Sequence, residues 1–523
     1  MHTTVPADVD ALLRVHTSSQ IEKPSSGSAV LPSRGAAWKL LIAAVFIGVA
    51  GDALLRGQMP RLGVTLWIAQ LLLFVVTLGG RGTTQRNLLL GGTMLAAAGM
   101  AWRDAEVLYA FDLLSVLCMG ALTVWYGSIG DVRSLTVFET LRAIPLALIN
   151  ALGGTVGVLE RAQATDDGRK SDAGTVRALI IGTILALPPL VVVTSLLASS
   201  DKIFDSMLSA TMNFLAVDGL QHAIVAFVLA WTAAGWLRAA LGDPIRAPIT
   251  QVRPPALAFT TVSVGLYALI GILALFLATQ ARVLFGGAAF LMATQGLTVA
   301  NYAREGFFQL VVASGVVLAT LVAADWLLDT QDAVGRRRYR LAGAVLVALV
   351  GALLVSAVVR LSLYVTEFGL SIDRAVASAV MVWVVAALVA FTTTIVRDRS
   401  QHFAPVTLVA TVGWVALLNL VNLEGVVVRV NAARAAQGQP FDAEYHATLS
   451  ADALPALRAA AVHLNVADCQ ALEQHMRRTW EERLSTARAT TDWRGWDYSR
   501  ARLGAWWDNG ARLCSSGIPV ALR

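Results

Sequence analysis

The sequence VLFGGAAFLMATQGLTVANYAREGFFQL, residues 283–310, combines two properties that are seldom found together. It is apolar enough to lie at membrane depth, yet it carries the polar side chains of Asn301, Arg304 and Glu305. Such groups are costly in lipid unless the protein supplies their partners, because the hydrocarbon core holds no water. The stretch therefore indicates a polytopic membrane protein in which residues 283–310 form either a buried joint between helices or a functional site.

The polar residues of this stretch allow more than one interpretation. Gly286-Gly287 begins either a re-entrant half-helix or a tight turn that leads into an interfacial helix. Glu305 stands at the outer, N-terminal end of the span that follows, where the helix dipole favours a negative charge. Arg304 either anchors to lipid phosphate or binds an anionic substrate. With Asn301, these two residues are candidate functional polar groups.

The composition indicates the same class of protein. Of the 523 residues, 56% are hydrophobic and 15% are charged, and the mean hydropathy is +0.64, whereas soluble domains are about a quarter charged. The net charge of +6 is spread over many loops. This argues against nucleic-acid binding, because that function needs a clustered basic face. Arginine far outnumbers lysine and alanine is abundant, a bias typical of GC-rich bacterial genomes.

The hydropathy pattern predicts an all-α transmembrane bundle of about eleven spans over residues 37–422, with a candidate for a twelfth. The predicted spans lie near 37–54, 62–79, 87–102, 106–126, 175–198, 216–240, 257–280, 306–327, 340–359, 375–396 and 403–421. The twelfth candidate, Ala143–Leu159, contains Pro145 and Gly153-Gly154 and is interpreted as an amphipathic or half-inserted segment. Residues 1–36 are polar and are expected to form a disordered cytoplasmic tail without a cleavable signal peptide.

The distribution of arginine and lysine predicts the orientation of the bundle. With the N-terminus in the cytoplasm, eleven spans place most positive charges in the inner loops, as expected in a bacterial inner membrane. An odd number of spans then places residues 423–523 on the periplasmic or extracellular side. A twelfth span would put both ends inside and would move basic loops such as Arg336–Arg338 outward.

Residues 423–523 are more charged than the rest of the chain and are predicted to form a small helical domain. Apolar and long side chains at helical spacing predict a helix over Val466–Ala489. Cys469 and Cys514 are candidate disulfide partners if the domain lies on the oxidising side, and free thiols if it does not. The aromatic-rich segment Trp493–Trp507 is interpreted as domain core or as a belt at the lipid headgroups, with a sugar-binding platform as the alternative.

The sequence contains no recognisable catalytic motif: no phosphate loop, H-E-x-x-H, G-x-S-x-G or C-x-x-C is present. No cofactor is expected, and no metal site either, because the spacing of the C-terminal histidines matches no ligand pattern. Asp112, about two turns into the fourth span, is the clearest candidate for an intramembrane functional group. Its carboxylate would bind a cation, relay a proton or hydrogen-bond a neighbouring helix.

Several segments, in the same order, resemble a family of bacterial multi-pass membrane proteins catalogued as domain of unknown function four-one-seven-three, related to four-one-five-three. The segments are SLLASSDKIFDSML (195–208), LFGG and GLTVANYAREGFFQL (284–310), RLSLYVTEFGLSIDR (360–374), LNLVNLEGVVVRVNAARA (418–435), LSADALPAL (449–457) and DWRGWDYSRAR (492–502). The chain departs from the family pattern at Leu423 and Glu424, which stand in place of Pro and Asp. The resemblance covers about 175–505 and implies a polytopic fold with a small C-terminal appendage, but no reaction.

Three functions are therefore considered. The first is a non-enzymatic envelope sensor or scaffold whose domain, 423–523, meets an envelope protein partner. The second is a transporter that uses Asp112 and a re-entrant segment near 285–303. The third is a membrane enzyme that acts on lipid-linked substrates with Arg304 holding phosphate. The absence of catalytic motifs ranks the enzyme last.

Overall fold

A computed structural model describes most of the chain. The described residues are 33–57, 60–80, 82–129, 136–163, 193–207 except 195 and 198, 218–245, 256–295, 307–329, 331–490, 492–509 and 512–514. Within these ranges the backbone is helical apart from loops and an isolated bridge between Leu257 and Leu328. The all-α prediction is confirmed.

Eleven long helices precede the C-terminal domain in the described chain. They are α1 (Arg34–Leu54), α2 (Arg61–Gly79), α3 (Thr84–Trp102), α4 (Glu106–Ile129), α5 (Val137–Gln163), α6 (Asp218–Ala240), α7 (Phe259–Gln295), α8 (Phe307–Leu327), α9 (Ala333–Phe368), α10 (Ile372–Thr394) and α11 (Phe403–Val421). Ten helices are long and apolar enough to cross a membrane, namely all of these except α3. The polytopic bundle is therefore confirmed.

Large apolar side chains are exposed along these helices, for example Val264 at 72% and Val409 at 73%. In water such exposure would be unfavourable, but lipid tails cover it without cost.

The predicted span 87–102 forms α3, whose first turn lies beside the end of α2, since Arg86 donates to the Gly79 carbonyl at 3.3 Å. The predicted span 175–198 lies almost wholly outside the described residues.

The bundle has two distinguishable ends. We call the end at which α1 begins the N-terminal end and the opposite one the domain end. α6 runs antiparallel to α1, because His222 Nδ1 lies 3.0 Å from Asp52 Oδ1 near the end of α1, while Ala240 shares a buried cluster with Ala37 near its start.

The C-terminal domain packs on the domain end. It consists of α12 (Leu423–Ala435), α13 (Ala443–Thr448), α14 (Leu454–Ala461), α15 (Val466–Thr490) and α16 (Tyr498–Asp508). α15 occupies nearly the residues predicted for it, and Trp480 in α15 is fully buried in the domain core. Asn422, with a positive φ of 58°, separates α11 from α12 and turns the chain out of the bundle.

α5 lies across the N-terminal end of the bundle instead of running from one end to the other. Near its start, Phe138 stacks on Trp326 at the end of α8, with ring centroids 4.1 Å apart. Near its finish, Arg161 pairs with Asp243 just after α6. Both partners belong to the same end of the bundle. The length and composition of α5 would suit a membrane span, but its position does not.

The outer face of α5 is apolar, with Leu141, Ile144 and Leu148 exposed at 60, 48 and 59%. Its inner face packs closely on α6, where a Cβ on Gly154 would lie 2.9 Å from the backbone of Gly235. This arrangement agrees with the amphipathic segment predicted near Ala143–Leu159. The helix is nevertheless continuous over 27 residues, with Pro145 inside it.

The structure corrects one prediction about the central stretch. α7 continues through Gly286-Gly287 to Gln295 as one helix of 37 residues, so the break expected at the glycine pair is wrong. A helix backbone tolerates two glycines when its neighbouring residues are strong helix formers, as Ala288-Ala289 and Leu291-Met292 are here. Residues 296–306 lie outside the described residues.

Candidate functional site

Asp112 of α4 is buried, with 1% of its surface exposed. Asn419 of α11 donates from Nδ2 to Asp112 Oδ1 at 2.9 Å. Asp112 Oδ2 has no hydrogen-bond partner within the described part of the chain. Gly99 of α3 permits this placement, because a Cβ there would lie 2.4 Å from Asp112 Oδ2.

A cavity of about 170 Å³ adjoins this carboxylate, between α3, α4 and α11. Asn419 also lines this cavity, and its Oδ1 is a second buried oxygen without a partner among the described residues. The Ser115 hydroxyl lines the cavity too and donates to the Phe111 carbonyl at 2.8 Å, which leaves its lone pairs available. The few polar residues at this largely apolar cavity therefore offer chiefly acceptors, an arrangement that favours a bound cation or proton.

The donor set fits a proton or a monovalent cation better than a divalent one. Calcium takes about 6–8 oxygen ligands and usually several carboxylates. Across the described ranges no group of three or more His, Cys, Asp or Glu residues is arranged to hold a metal ion. A single carboxylate with an amide and a hydroxyl matches an ion of one charge, because one carboxylate then neutralises it completely.

A second polar cluster joins the C-terminal domain to the loop between α3 and α4. Asp452, 2% exposed, accepts at Oδ2 from the backbone N–H groups of Asp104 at 3.0 Å and Ala105 at 2.9 Å. Its Oδ1 accepts from the Ser499 hydroxyl and lies 3.5 Å from Arg103 Nη1. We call this cluster, together with Asp104 and the partners of Asp104 described next, the junction.

Asp104 is the matching carboxylate on the bundle side of the junction. It accepts at Oδ2 from the Ala451 N–H at 3.1 Å and pairs at Oδ1 with Arg500 of α16. Arg61, 1% exposed, donates to the Arg103 and Asp104 carbonyls, both at 2.8 Å. Asp104 and Asp452, with Arg500 and Arg103 as their charged partners, thus fix the domain to the bundle.

The cavity and the junction are connected by direct contacts. Asp112 Oδ1 accepts from Asn419 Nδ2, and the Asn419 carbonyl accepts from Arg103 Nε at 2.6 Å. Arg103 in turn lies 3.5 Å from Asp452 in the domain. Four residues therefore link an intramembrane carboxylate to the C-terminal domain.

Two further acids of the domain are protonated more readily than usual. Burial raises the pKa of Glu424 from 4.5 to about 7, against the hydrogen bonds that it accepts from the backbone and hydroxyl of Ser450. Burial likewise raises the pKa of Asp497 from 3.8 to about 6, with the negative charge of Asp104 adding to the effect. For Asp104 itself, burial is outweighed by Arg500 and the Ala451 N–H, so its pKa is lowered.

We expect the docked domain to be less stable at about pH 8 than at about pH 5. The folded-state pKa of Glu424 is about 7 and that of Asp497 about 6, above the unfolded values of 4.5 and 3.8. Their contribution to the free energy of unfolding is therefore fully present below the unfolded values and is lost as the pH rises through the folded ones. Asp104, with a lowered pKa, acts in the opposite sense at more acid pH.

Thermal unfolding of purified protein across this pH range, followed by tryptophan fluorescence, measures the effect. Glu424→Gln should remove a large part of the fall, because the amide is neutral at every pH. Glu444→Gln, an exposed change of the same kind in α13, is the control. An unchanged pH profile for Glu424→Gln would contradict the assignment.

The structure joins Cys469 and Cys514 by a disulfide, with their Cα atoms 6.0 Å apart and a separation of 45 positions in sequence. The bridge fastens the end of the described chain to α15, where the Cys514 N–H also donates to Glu473 at 3.1 Å. Cys118 in α4 is a free thiol. The domain thus carries the cross-link considered from the sequence.

The aromatic residues of the domain divide into two groups. Trp506 and Trp507 pack against the domain core. Trp493, Trp496 and Tyr498 are 51, 43 and 45% exposed at the level where the domain meets the helix ends. This distribution supports the interpretation as core and belt, because Trp and Tyr favour the headgroup region.

The sequence singled out Asp112 and the two cysteines of the domain but missed the junction. Asn301, Arg304 and Glu305 lie outside the described residues, so their roles stay predictions. The charges between α3 and α4 were visible as Arg103 and Asp104, yet their partners are about 350 residues distant. No pattern within a single sequence predicts a pairing between residues so far apart.

One family match covers most of the chain. The family described as domain of unknown function (DUF4153) matches residues 90–460, from within α3 to within α14. In the sequence analysis this family appeared as the relative of the one that the segments resemble. The match does not confirm that first family, four-one-seven-three. No curated protein and no solved structure matches the chain.

Proposed function

The chain belongs to the family described as domain of unknown function (DUF4153), and from the geometry around Asp112 we propose that it is a non-enzymatic envelope sensor. Membership of the family assigns no activity. In this proposal a proton or a small monovalent cation binds at Asp112, and its binding is transmitted to the C-terminal domain. The observation that carries the proposal is the series of contacts from Asp112 through Asn419 and Arg103 to Asp452.

The physical argument starts from the cost of a buried charge. An isolated carboxylate in a low-dielectric site is unstable unless it is neutralised by a proton, a cation or strong hydrogen bonds. Asp112 has one such bond, from Asn419. An ion that engages Asp112 Oδ2 and Asn419 Oδ1 would compete for the orientation of the Asn419 side chain. Asn419 belongs to the last turn of α11, whose carbonyls hold Arg103 against the domain.

The proposal includes an orientation. The N-terminal end lies in the cytoplasm of a bacterium and the domain lies outside the inner membrane. Arg336–Arg338 and Arg340 in the first turns of α9, together with Arg397 and Arg399 after α10, support this because they lie at the N-terminal end. The disulfide supports it too, since such bonds persist in oxidising compartments. An envelope protein that docks on residues 423–523 is the proposed partner.

We expect Asp112→Asn to abolish the response of the domain to cations while leaving the fold intact. The amide is nearly isosteric but binds neither a proton nor a cation at the same strength. The measurement is hydrogen exchange of purified protein in lipid nanodiscs, with sodium, potassium or pH varied in turn. In the wild type, exchange near Asn422 and Asp452 should change by about tenfold, which corresponds to about 1.4 kcal/mol of coupling.

Asp373→Asn is the matched control, since Asp373 is exposed at the start of α10. The control should respond as the wild type does. If Asp112→Asn responds as well, Asp112 is a structural residue and the proposal is wrong.

A transporter is the second candidate, because the cavity at Asp112 is also the kind of site in which transporters hold a coupling ion. The two are distinguished by flux. A transporter would move labelled sodium or rubidium into proteoliposomes at a rate that Asp112→Asn abolishes. A sensor would show the exchange response without flux. No described residue supports the enzyme hypothesis, since Arg304 lies outside the described ranges.

A further inference from the structure

A second cavity, of about 240 Å³, lies where the C-terminal domain meets the end of α3. Its polar and aromatic lining consists of Trp102, Arg103, Asp452, Tyr498, Ser499 and Arg502. It is separate from the group of oxygens at Asp112, although Trp102 lines both cavities. Neither the family match nor the proposed function assigns a ligand to it, although Arg103 and Asp452 also belong to the contacts that lead from Asp112.

The charge in this cavity is positive on balance. Asp452 is already neutralised, because it accepts two backbone N–H groups and the Ser499 hydroxyl and lies 3.5 Å from Arg103. The guanidinium of Arg502 lies 5.6 Å from the ring centre of Tyr498, a cation–π contact that leaves its N–H donors available. An anion that contacts Arg502 would therefore meet no uncompensated negative charge.

The cavity opens at the boundary between the bundle and the domain. Trp102 and Tyr498 at its mouth are 49 and 45% exposed, and their ring centroids lie 6.1 Å apart. On the bundle side, Leu95 and Leu420, which line the first cavity together with Trp102, are 53 and 68% exposed. Paired aromatic rings above exposed leucines are typical of the level at which headgroups give way to acyl chains.

We propose that this cavity binds the phosphodiester group of an anionic phospholipid. Arg502 and the remaining donors of Arg103 contact the phosphate, the rings of Trp102 and Tyr498 flank the glycerol, and the acyl chains lie on Leu95 and Leu420. Guanidinium groups suit phosphate because their planar N–H donors match its oxygens in pairs. The site would attach a lipid across the junction, in contact with both the bundle and the domain.

The lipid is chosen over a free phosphate ion because of the surroundings. A soluble anion gains nothing from two exposed leucines and two aromatic rings, whereas a lipid buries its glycerol and the upper part of its chains there. Arg103 belongs both to this site and to the contacts that lead from Asp112, whereas Arg502 takes no part in those contacts, so a change at Arg502 tests the lipid site separately.

The test is native mass spectrometry of the full-length protein in detergent, titrated with phosphatidylglycerol or with phosphatidylcholine. The wild type should bind one phosphatidylglycerol more tightly than the others that associate with it, and should prefer it to phosphatidylcholine. Arg502→Gln should weaken that binding by about tenfold, the usual effect of one lost charge-assisted hydrogen bond. Arg478→Gln, which removes the same charge from an exposed site on α15, should not.

Each other outcome counts against the proposal. Equal binding by Arg502→Gln and the wild type would overturn it, and so would an equal loss in both variants, which would indicate a general effect of charge. In a separate titration, inorganic phosphate should not displace the tightly bound lipid. Displacement at low phosphate concentration would show that a soluble anion is the ligand. Asp112→Asn should keep full lipid binding, so that failure here is distinguishable from failure of the cation site.

Discussion

Asp452→Ala is expected to lower the free energy of unfolding of the docked domain by about 3–5 kcal/mol. The change removes the acceptor of two backbone N–H groups, those of Asp104 and Ala105, and of the Ser499 hydroxyl. It also leaves the guanidinium of Arg103 without its carboxylate partner. Buried donors that lose their acceptor keep the full cost of their lost hydration, which is why the effect exceeds that of one hydrogen bond.

Limited proteolysis of protein in nanodiscs measures this effect most directly. In the wild type the segment between Asn422 and Ser450 is held against the bundle, since the Asp452 carboxylate that follows it accepts from the Asp104 and Ala105 N–H groups. In the variant that segment should be cleaved at least tenfold faster. Glu481→Ala, which removes an exposed carboxylate from α15, is the control. Cleavage of Asp452→Ala at the wild-type rate would show that the junction does not hold the domain.

Removal of the disulfide should have an effect of similar size. The double variant Cys469→Ser with Cys514→Ser is expected to lose about 4 kcal/mol of domain stability. The estimate follows from the loop of about 45 residues that the bond closes, because the unfolded chain has more conformational entropy without the cross-link. Chemical denaturation followed by tryptophan fluorescence provides the measurement. Cys118→Ser, in α4, should leave the midpoint where it is, and a double variant with the same midpoint would contradict the estimate.

The same pair of cysteines reports the side of the membrane. In intact cells, a membrane-impermeant maleimide should label Cys469 and Cys514 only after a reductant has been added. Labelling that requires lysis but no reductant would place the domain in the cytoplasm, and the proposed orientation would then be wrong.

Much of the fold could be predicted from the sequence because lipid imposes a simple rule. A span needs a run of apolar residues of nearly constant length, so α1, α2, α4 and α6 to α11 were located to within a few residues, apart from the long extensions of α7 and α9. The prediction was wrong at Gly286-Gly287. Glycine lowers helix stability by about 1 kcal/mol, which is too little to end a helix that its surroundings favour.

The candidate site was predictable in part, for an equally physical reason. A carboxylate inside a span is conspicuous against its apolar neighbours, so Asp112 could be named from its position alone. Its partner Asn419 could be recognised as an interhelical hydrogen-bond donor but not assigned to Asp112, because helix packing decides which faces meet. Arg61 and Asp452 were missed because each stands near a loop or a helix start, where charged residues are ordinary.

The contacts at the junction also set the order in which the protein is completed. The hydrogen bond from Asp104 to Asp452 joins residues separated by 348 positions. At about 5–20 residues per second, a ribosome needs roughly 20–70 s to make the chain between them. During that interval Asp104 lacks its partners Ala451 and Arg500 in the domain. Docking at the junction therefore follows synthesis of the bundle, and a chain interrupted before Asp452 would present to quality-control proteases the charge of Asp104 that the finished molecule buries.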